Sequence, residues 1–136
     1  MAIKSHTFPS AEILSPLLPV DLDPLRCGYR APYIISAAQA VNRGEIDLEN
    51  LKTLGHSEAL KELVKLSGVG AKVANCVILF GLHNMSGFPI DVWIRRALDA
   101  NFPPGFDPAT LGEFSGLAQQ YMFYYERENA KASKTS

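Results

Sequence analysis

The run Leu66-Ser67-Gly68-Val69-Gly70-Ala71-Lys72-Val73-Ala74 limits what this chain can fold into more than any other segment. It has the form L-x-G-V-G-x-K-V-A, with apolar sequence of helical spacing on both sides. Gly68 and Gly70 allow backbone conformations that other residues resist, so the run reads as a hairpin joining two helices. The same glycines let an anion such as a phosphate approach the N–H groups that open the second helix, where the helix dipole favours negative charge. A tight turn between packed helices is the plainer alternative.

Lys72 sharpens that reading. A lysine at a helix N-terminus faces the positive end of the dipole, which disfavours its ammonium form. Partial burial would act in the same direction, and a neutral amine is a nucleophile. Most lysines are solvated charges on a helix face, but the neighbours here are Val69, Val73, Ala74, Val77 and Ile78. Further on, Phe88-Pro89-Ile90-Asp91-Val92 places a carboxylate at the mouth of another helix. Asp91 reads as an ordinary N-cap. That role is compatible with a second one, because a carboxylate held by backbone amides is well placed to stabilise a cation.

The rest of the chain reads as helices separated by turns, with no segment that reads as a strand, so the fold class is all-α. Ser10 caps a short helix over 11–17, limited by Pro16 and Pro19. A second short helix starts near Asp21. Gly28-Tyr29-Arg30-Ala31-Pro32-Tyr33 opens a longer one, in which Ile34, Ile35, Ala38 and Val41 recur at helical spacing and Gly44 lies past the end. Asp47 caps 48–54. Ser57 caps 58–66, with Leu60, Leu63, Val64 and Leu66 as its buried stripe. The helix over 71–82 is apolar nearly all round, which makes it central. A loop over 84–87, a helix over 92–100, a break at 101–105, and a last helix over 111–128 entered through Asp107-Pro108 complete the pattern. The expected division is a domain over 1–128 and a polar, frayed tail over 129–136.

With 136 residues, 47% hydrophobic and 20% charged, the chain can build one packed core. A net charge of −1 counts mildly against nucleic-acid binding, although contacts through backbone amides and a few placed arginines need no large net charge. Cys27 and Cys76 form neither a metal-binding spacing nor a disulfide framework, which favours an intracellular setting, cytoplasm or nucleus. Residues 1–9 lack a basic region followed by an apolar run, so no secretory signal is expected. The longest apolar stretch, over 73–82, is too short to span a bilayer and carries Asn75.

The hairpin run, the following Asn75-Cys76, the segment 88–92 and Gly28-Tyr29-Arg30-Ala31 together resemble the helix-hairpin-helix DNA glycosylases, in the 8-oxoguanine DNA glycosylase branch. The resemblance covers nearly the whole chain, from about Phe8 to Glu128. It implies that Lys72 is the nucleophile that attacks C1′ of the damaged nucleotide, and that Asp91 supports the sugar cation. Cys76 matches a cysteine lining the base pocket, with a small buried hydrophobe as the alternative. Gln119 matches the glutamine that reads the flipped base, and Phe123 the aromatic that stacks on it; a solvated face and core packing are their plainer readings. Tyr29 matches a wedge residue and Arg30 an arginine that recognises the estranged cytosine, where a half-buried aromatic is the default for Tyr29. The resemblance also implies a monovalent cation at the carbonyls of Val64, Leu66 and Val69, double-stranded DNA with an oxidised purine as partner, no membrane, and no cofactor in the chemistry.

Two departures stand out. The family's chain is longer at its N-terminus, with a β-rich domain and further helices, so a catalytic domain lacking the family's N-terminal part is expected. Such a chain is an enzyme, a non-catalytic DNA-binding module, or an incomplete fold that exposes helical surface and self-associates. Trp93 stands where relatives carry a polar phosphate-contacting residue. The iron–sulfur branch needs four cysteines near the C-terminus, and none follows Cys76. The alkylated-base branch usually lacks the lysine.

Overall fold

The computed structural model describes residues 6–133, and all regular structure among them is helical. In chain order the helices are α1 (Ala11–Leu14), α2 (Ala31–Asn42), α3 (Leu48–Leu51), α4 (His56–Leu63), α5 (Ala71–Cys76), α6 (Val92–Asn101) and α7 (Ser115–Ala132). Tight 3₁₀ turns occupy Pro19–Leu25, Gly28–Arg30 and Pro108–Leu111, and a π-helical turn over Val77–Gly81 continues α5. None of the described helices is long and apolar enough to cross a membrane.

Side-chain caps set some of the boundaries. Ser10 accepts the Ile13 N–H at the start of α1. Asp47 accepts those of Glu49 and Asn50 at α3, and Asp107 that of Ala109. Several expected boundaries move. α1 stops at Leu14 rather than 17, with Ser15 as its C-cap, because Pro16 has no N–H to continue it. α3 ends at Leu51, short of 54. The short helix expected near Asp21 is a 3₁₀ turn that starts at Pro19, and Asp21 reaches back to accept the Leu18 N–H at 2.7 Å.

α4 begins at His56 with Gly55, not Ser57, as its N-cap, so Ser57 lies inside the first turn. It also ends earlier than expected. Leu63 is buried, Leu60 and Leu66 are partly buried, but Val64 is 43% exposed because the chain has already turned into the hairpin. α7 starts at Ser115 rather than 111, since Gly112 adopts φ +81° and breaks the helical path. At the other end it stays helical to Ala132, where a frayed tail was expected from 129, with Lys131 paired to Glu128 in the last turn. The final tail residues, 134–136, lie outside the described residues.

Three apolar clusters hold these elements together. The largest gathers Ala40, Ile46, Leu51, Ala59, Leu63, Ala74 and Ile78 from α2 to α5. A second joins Leu22, Ala31 and Ile35. The third, Phe88, Ile94 and Leu98, packs with Ile90, Phe102, Phe106, Met122 and Phe123, and binds α6 to α7. Ile78 and Ile94 have no exposed surface, and each such side chain contributes about 1.5–3 kcal/mol. They anchor the two helices that flank the gap between the first cluster and the third. α5 is central only in part: Ala74, Ile78 and Leu79 are buried, while Val73 and Phe80 are exposed.

Candidate active site

The hairpin takes the expected form, and its two glycines do different work. Gly68 has φ +78°, and a Cβ there would lie 2.4 Å from the Tyr33 ring, so the fold itself demands glycine. Gly70 sits in extended backbone at the N-cap of α5, with no side-chain cap and nothing within 4 Å of a Cβ. Glycine there leaves open space in front of the uncapped first N–H groups of α5. Val69 N–H donates to Leu66 O at 3.1 Å, whereas the carbonyls of Val64 and Val69 accept no hydrogen bond among the described residues. Leu66 O keeps a second lone pair.

Lys72, Cys76, Phe80, Pro89, Asp91, Gln119, Gln120 and Phe123 line one cleft of about 210 Å³. It lies between α5 with its π turn on one side and the start of α6 and the middle of α7 on the other. Larger hollows of about 440 and 540 Å³ exist elsewhere, so chemistry rather than size distinguishes this one. The partial burial expected of Lys72 is not found: the side chain is exposed at the mouth of the cleft. It is there because the hairpin delivers it on the first turn of α5, ahead of the buried Ala74.

Asp91 is the N-cap of α6, as expected. Its Oδ1 accepts the N–H groups of Trp93 at 3.0 Å and Ile94 at 2.9 Å. Oδ2 has no partner among the described residues and remains available. A half-buried carboxylate fixed by two amides, in one cleft with the Lys72 side chain, can stabilise positive charge formed beside it.

Gln119 is 3% exposed, which overturns the reading of it as part of a solvated face. Its Nε2 donates to Pro89 O at 2.8 Å, and its Oε1 accepts from Gln120. An amide has two N–H groups and two lone pairs, so one of each stays free for a ligand. Phe123 belongs to the third apolar cluster and carries the Arg127 guanidinium 5.5 Å from its ring centre. Cys76 is partly buried.

Tyr29 and Arg30 are not in this cleft. They sit in the 3₁₀ turn before α2, with Arg30 stacked 4.6 Å over the Tyr29 ring. Tyr29 is 72% exposed rather than half-buried. Tyr33, one turn on, packs over Gly68, which sets this pair beside the hairpin. Trp93 is partly buried, with Arg96 5.2 Å over its ring.

Several residues that shape the cleft escaped the sequence reading. Phe80 and Gln120 line it directly. Gly87 and Gly116 let the 84–87 loop, α5 and α7 come into backbone contact: a Cβ on Gly116 would lie 2.3 Å from Gly87 O. Only the place of Asn75 inside an apolar helix could have flagged a further residue, one that needs a buried partner.

No protein-family model matches the chain. A probable N-glycosylase/DNA lyase of Methanothermobacter thermautotrophicus is 31% identical over 153 residues, spanning 91% of this chain and 48% of that protein. The structure of MBOgg1 in complex with a low-affinity DNA ligand superposes with a TM-score of 0.83 at 40% identity, covering 92% of this chain and 46% of the other. The Clostridium acetobutylicum 8-oxoguanine glycosylase/lyase, in complex with double-stranded DNA containing cytosine opposite 8-oxoG, gives 0.80 at 34% identity, with the same 92% and 46% coverage. The chain thus spans about half the length of the relatives it matches. Over most of its own residues it is a homologue of the helix-hairpin-helix DNA glycosylases, in their 8-oxoguanine branch.

Proposed function

We propose that the chain excises 8-oxoguanine from double-stranded DNA as a bifunctional glycosylase and AP lyase. The observation that carries this reading is the cleft itself, in which an unpaired amine, a cap-fixed carboxylate, an amide with spare valences and an aromatic face meet. The hairpin amides and the three carbonyls, through a monovalent cation, would grip a DNA phosphate. Tyr29 and Arg30 stand beside the hairpin, where a wedge and a reader of the opposite cytosine would act. Extruding the damaged nucleotide costs a few kcal/mol, offset by stacking on Phe123 and hydrogen bonds from Gln119.

The chemistry then follows from the two reacting groups. The Lys72 side chain gives up a proton and its nitrogen forms a bond to C1′ as the C1′–N9 bond breaks, and the base leaves with the electron pair and takes up a proton. Asp91 stabilises the positive sugar. Opening of the sugar ring gives an imine between Lys72 and C1′. The imine acidifies the C2′ proton, and its loss expels the 3′ oxygen and nicks the strand.

The test is borohydride trapping on a duplex with one 8-oxoguanine opposite cytosine, against an undamaged duplex. A covalent adduct on the damaged duplex alone is expected. Duplex binding without an adduct would instead favour a non-catalytic module, and release of an alkylated purine without an adduct would favour the sister branch.

Two substitutions probe the parts separately. Asp91→Asn keeps an Oδ1 acceptor for Trp93 and Ile94, so thermal stability is expected to hold within about 0.5 kcal/mol. Single-turnover excision is expected to fall about 10²–10³-fold with the charge. An unchanged rate would reduce Asp91 to a cap. Gly70→Ala meets no steric obstacle in the fold and gains up to about 1 kcal/mol by restricting the unfolded chain. The added methyl stands in front of the α5 amides, so filter-binding or anisotropy titrations are expected to show roughly tenfold weaker duplex affinity, the loss of about one charge-assisted hydrogen bond. Wild-type affinity would remove the hairpin from the phosphate contact.

A further inference from the structure

Asn75 joins the two reacting groups. It stands on α5 one turn beyond Lys72, and all its polar atoms are engaged. Its Nδ2 donates to Ala71 O at 2.9 Å. Its Oδ1 accepts the Phe88 N–H at 3.1 Å and lies 2.8 Å from His56 Nε2. Ala71 O can only accept and Phe88 N–H can only donate, so the amide has one orientation. Oδ1 is then an acceptor, which assigns the proton to His56 Nε2.

The consequence reaches Asp91. The segment that ends in Asp91 starts at Phe88, and it is tied on two sides within two residues. Asn75 holds the Phe88 N–H from α5, and Gln119 holds the Pro89 carbonyl from α7. Backbone contact adds to the first tie, since a Cβ on Gly87 would lie 3.0 Å from Asn75 O. The helix carrying the amine and the segment carrying the carboxylate therefore share one amide as their common reference.

We infer that Asn75, oriented by His56, is a positioning residue that sets the distance between Lys72 and Asp91 during base excision. The inference rests on the reading of Lys72 and Asp91 as the reacting pair. It gives His56 and Asn75, neither of which lines the cleft, a part in the rate. Near-attack geometry is steep enough that a displacement of about 1 Å costs on the order of 10²-fold.

The experiment compares wild type, Asn75→Ala and Asn75→Asp by single-turnover excision and borohydride trapping at saturating chain, with duplex affinity and thermal melting measured alongside. Asn75→Ala is expected to lose about 10- to 100-fold in rate at unchanged duplex affinity. Asn75→Asp keeps an oxygen for Phe88 and His56 and is expected to recover most of that rate, although both variants lose the bond to Ala71. A folded Asn75→Ala that traps as fast as wild type overturns the inference, as does an Asn75→Asp as slow as Asn75→Ala. Should Asn75→Ala melt below the assay temperature, His56→Ala is read in its place. A several-fold loss there, restored by His56→Gln, carries the same meaning, and no loss overturns the inference. A wild-type chain that forms no adduct removes Lys72 as nucleophile and the positioning role with it; a wild-type chain that traps separates the two failures.

Discussion

Lys72→Gln is expected to abolish imine trapping and to slow excision at least about 10³-fold, while the chain stays folded and keeps its grip on duplex DNA. The fold half of that expectation follows from exposure. Lys72 makes no hydrogen bond or ion pair among the described residues and lies at the cleft mouth, so its replacement should change stability by no more than about 0.5 kcal/mol. The binding half follows from the division of labour in the hairpin, where phosphate is proposed to meet backbone amides rather than the side chain. The catalytic half follows from the absence of a substitute, because among the described residues no other lysine or cationic side chain lines the cleft. Cys76 lines it too, but a thiol cannot form an imine, so the trapped adduct reports Lys72 alone. Lys72→Arg separates charge from nucleophilicity: it preserves the cation near DNA and should be as inactive as Lys72→Gln. Trapping and excision rates for the three chains decide the matter. Substantial excision by Lys72→Gln would mean that water, not the amine, attacks C1′, with Asp91 as the group that carries the reaction.

The contrast between what the sequence disclosed and what it withheld follows the range of the interactions. The hairpin, the Asp91 cap of α6 and the all-helical class are local, written in glycines, capping side chains and apolar spacing, and each appears where expected. Ser57 shows how local signals compete. A serine before a glutamate suggests a cap, but Gly55, two residues earlier, takes that place. The burial of Lys72 was inferred from apolar neighbours along the chain, yet their side chains diverge around the helix, and Val73 is itself 41% exposed. Gln119 and Phe123 were legible only through resemblance, because nothing within α7 states which residues face α5. The roles of Asn75, Gly87, Gly116 and Tyr33 depend on partners far along the chain: His56 for Asn75, Gly87 for Gly116, Gly68 for Tyr33. The π turn over Val77–Gly81, where Leu82 N–H reaches Val77 O, left no trace in the apolar pattern either.

Gly116→Ala is expected to be the most damaging single-methyl change to the stability of the chain, by about 3 kcal/mol or more. In an exposed helix the same substitution stabilises by up to about 1 kcal/mol, so surroundings decide the sign. Gly116 is buried in the first turn of α7, and its N–H donates to Met85 O at 2.7 Å. An added Cβ would lie 2.3 Å from Gly87 O, 2.6 Å from Leu79 Cδ1 and 2.7 Å from Met85 O. Leu79 can rotate, but the two carbonyls are backbone and move only if the 84–87 loop moves. Overpacking of this kind costs about 1–3 kcal/mol, and breaking the Met85 bond inside the fold adds about 1–3 kcal/mol for unsatisfied groups. Thermal melting should show a drop of roughly 10 °C for a chain of this size, against no drop for Gly70→Ala, whose methyl meets open space. The effect would also reach the site. Gln119 lies one turn beyond Gly116 and its amide is tied to Pro89, so lifting the start of α7 from the loop pulls on the segment that presents Asp91. Excision measured well below the melting point should therefore fall in Gly116→Ala even where the chain is folded. A wild-type melting temperature would show that α7 and the loop can separate without loss, and that backbone contact between them does not hold the cleft together.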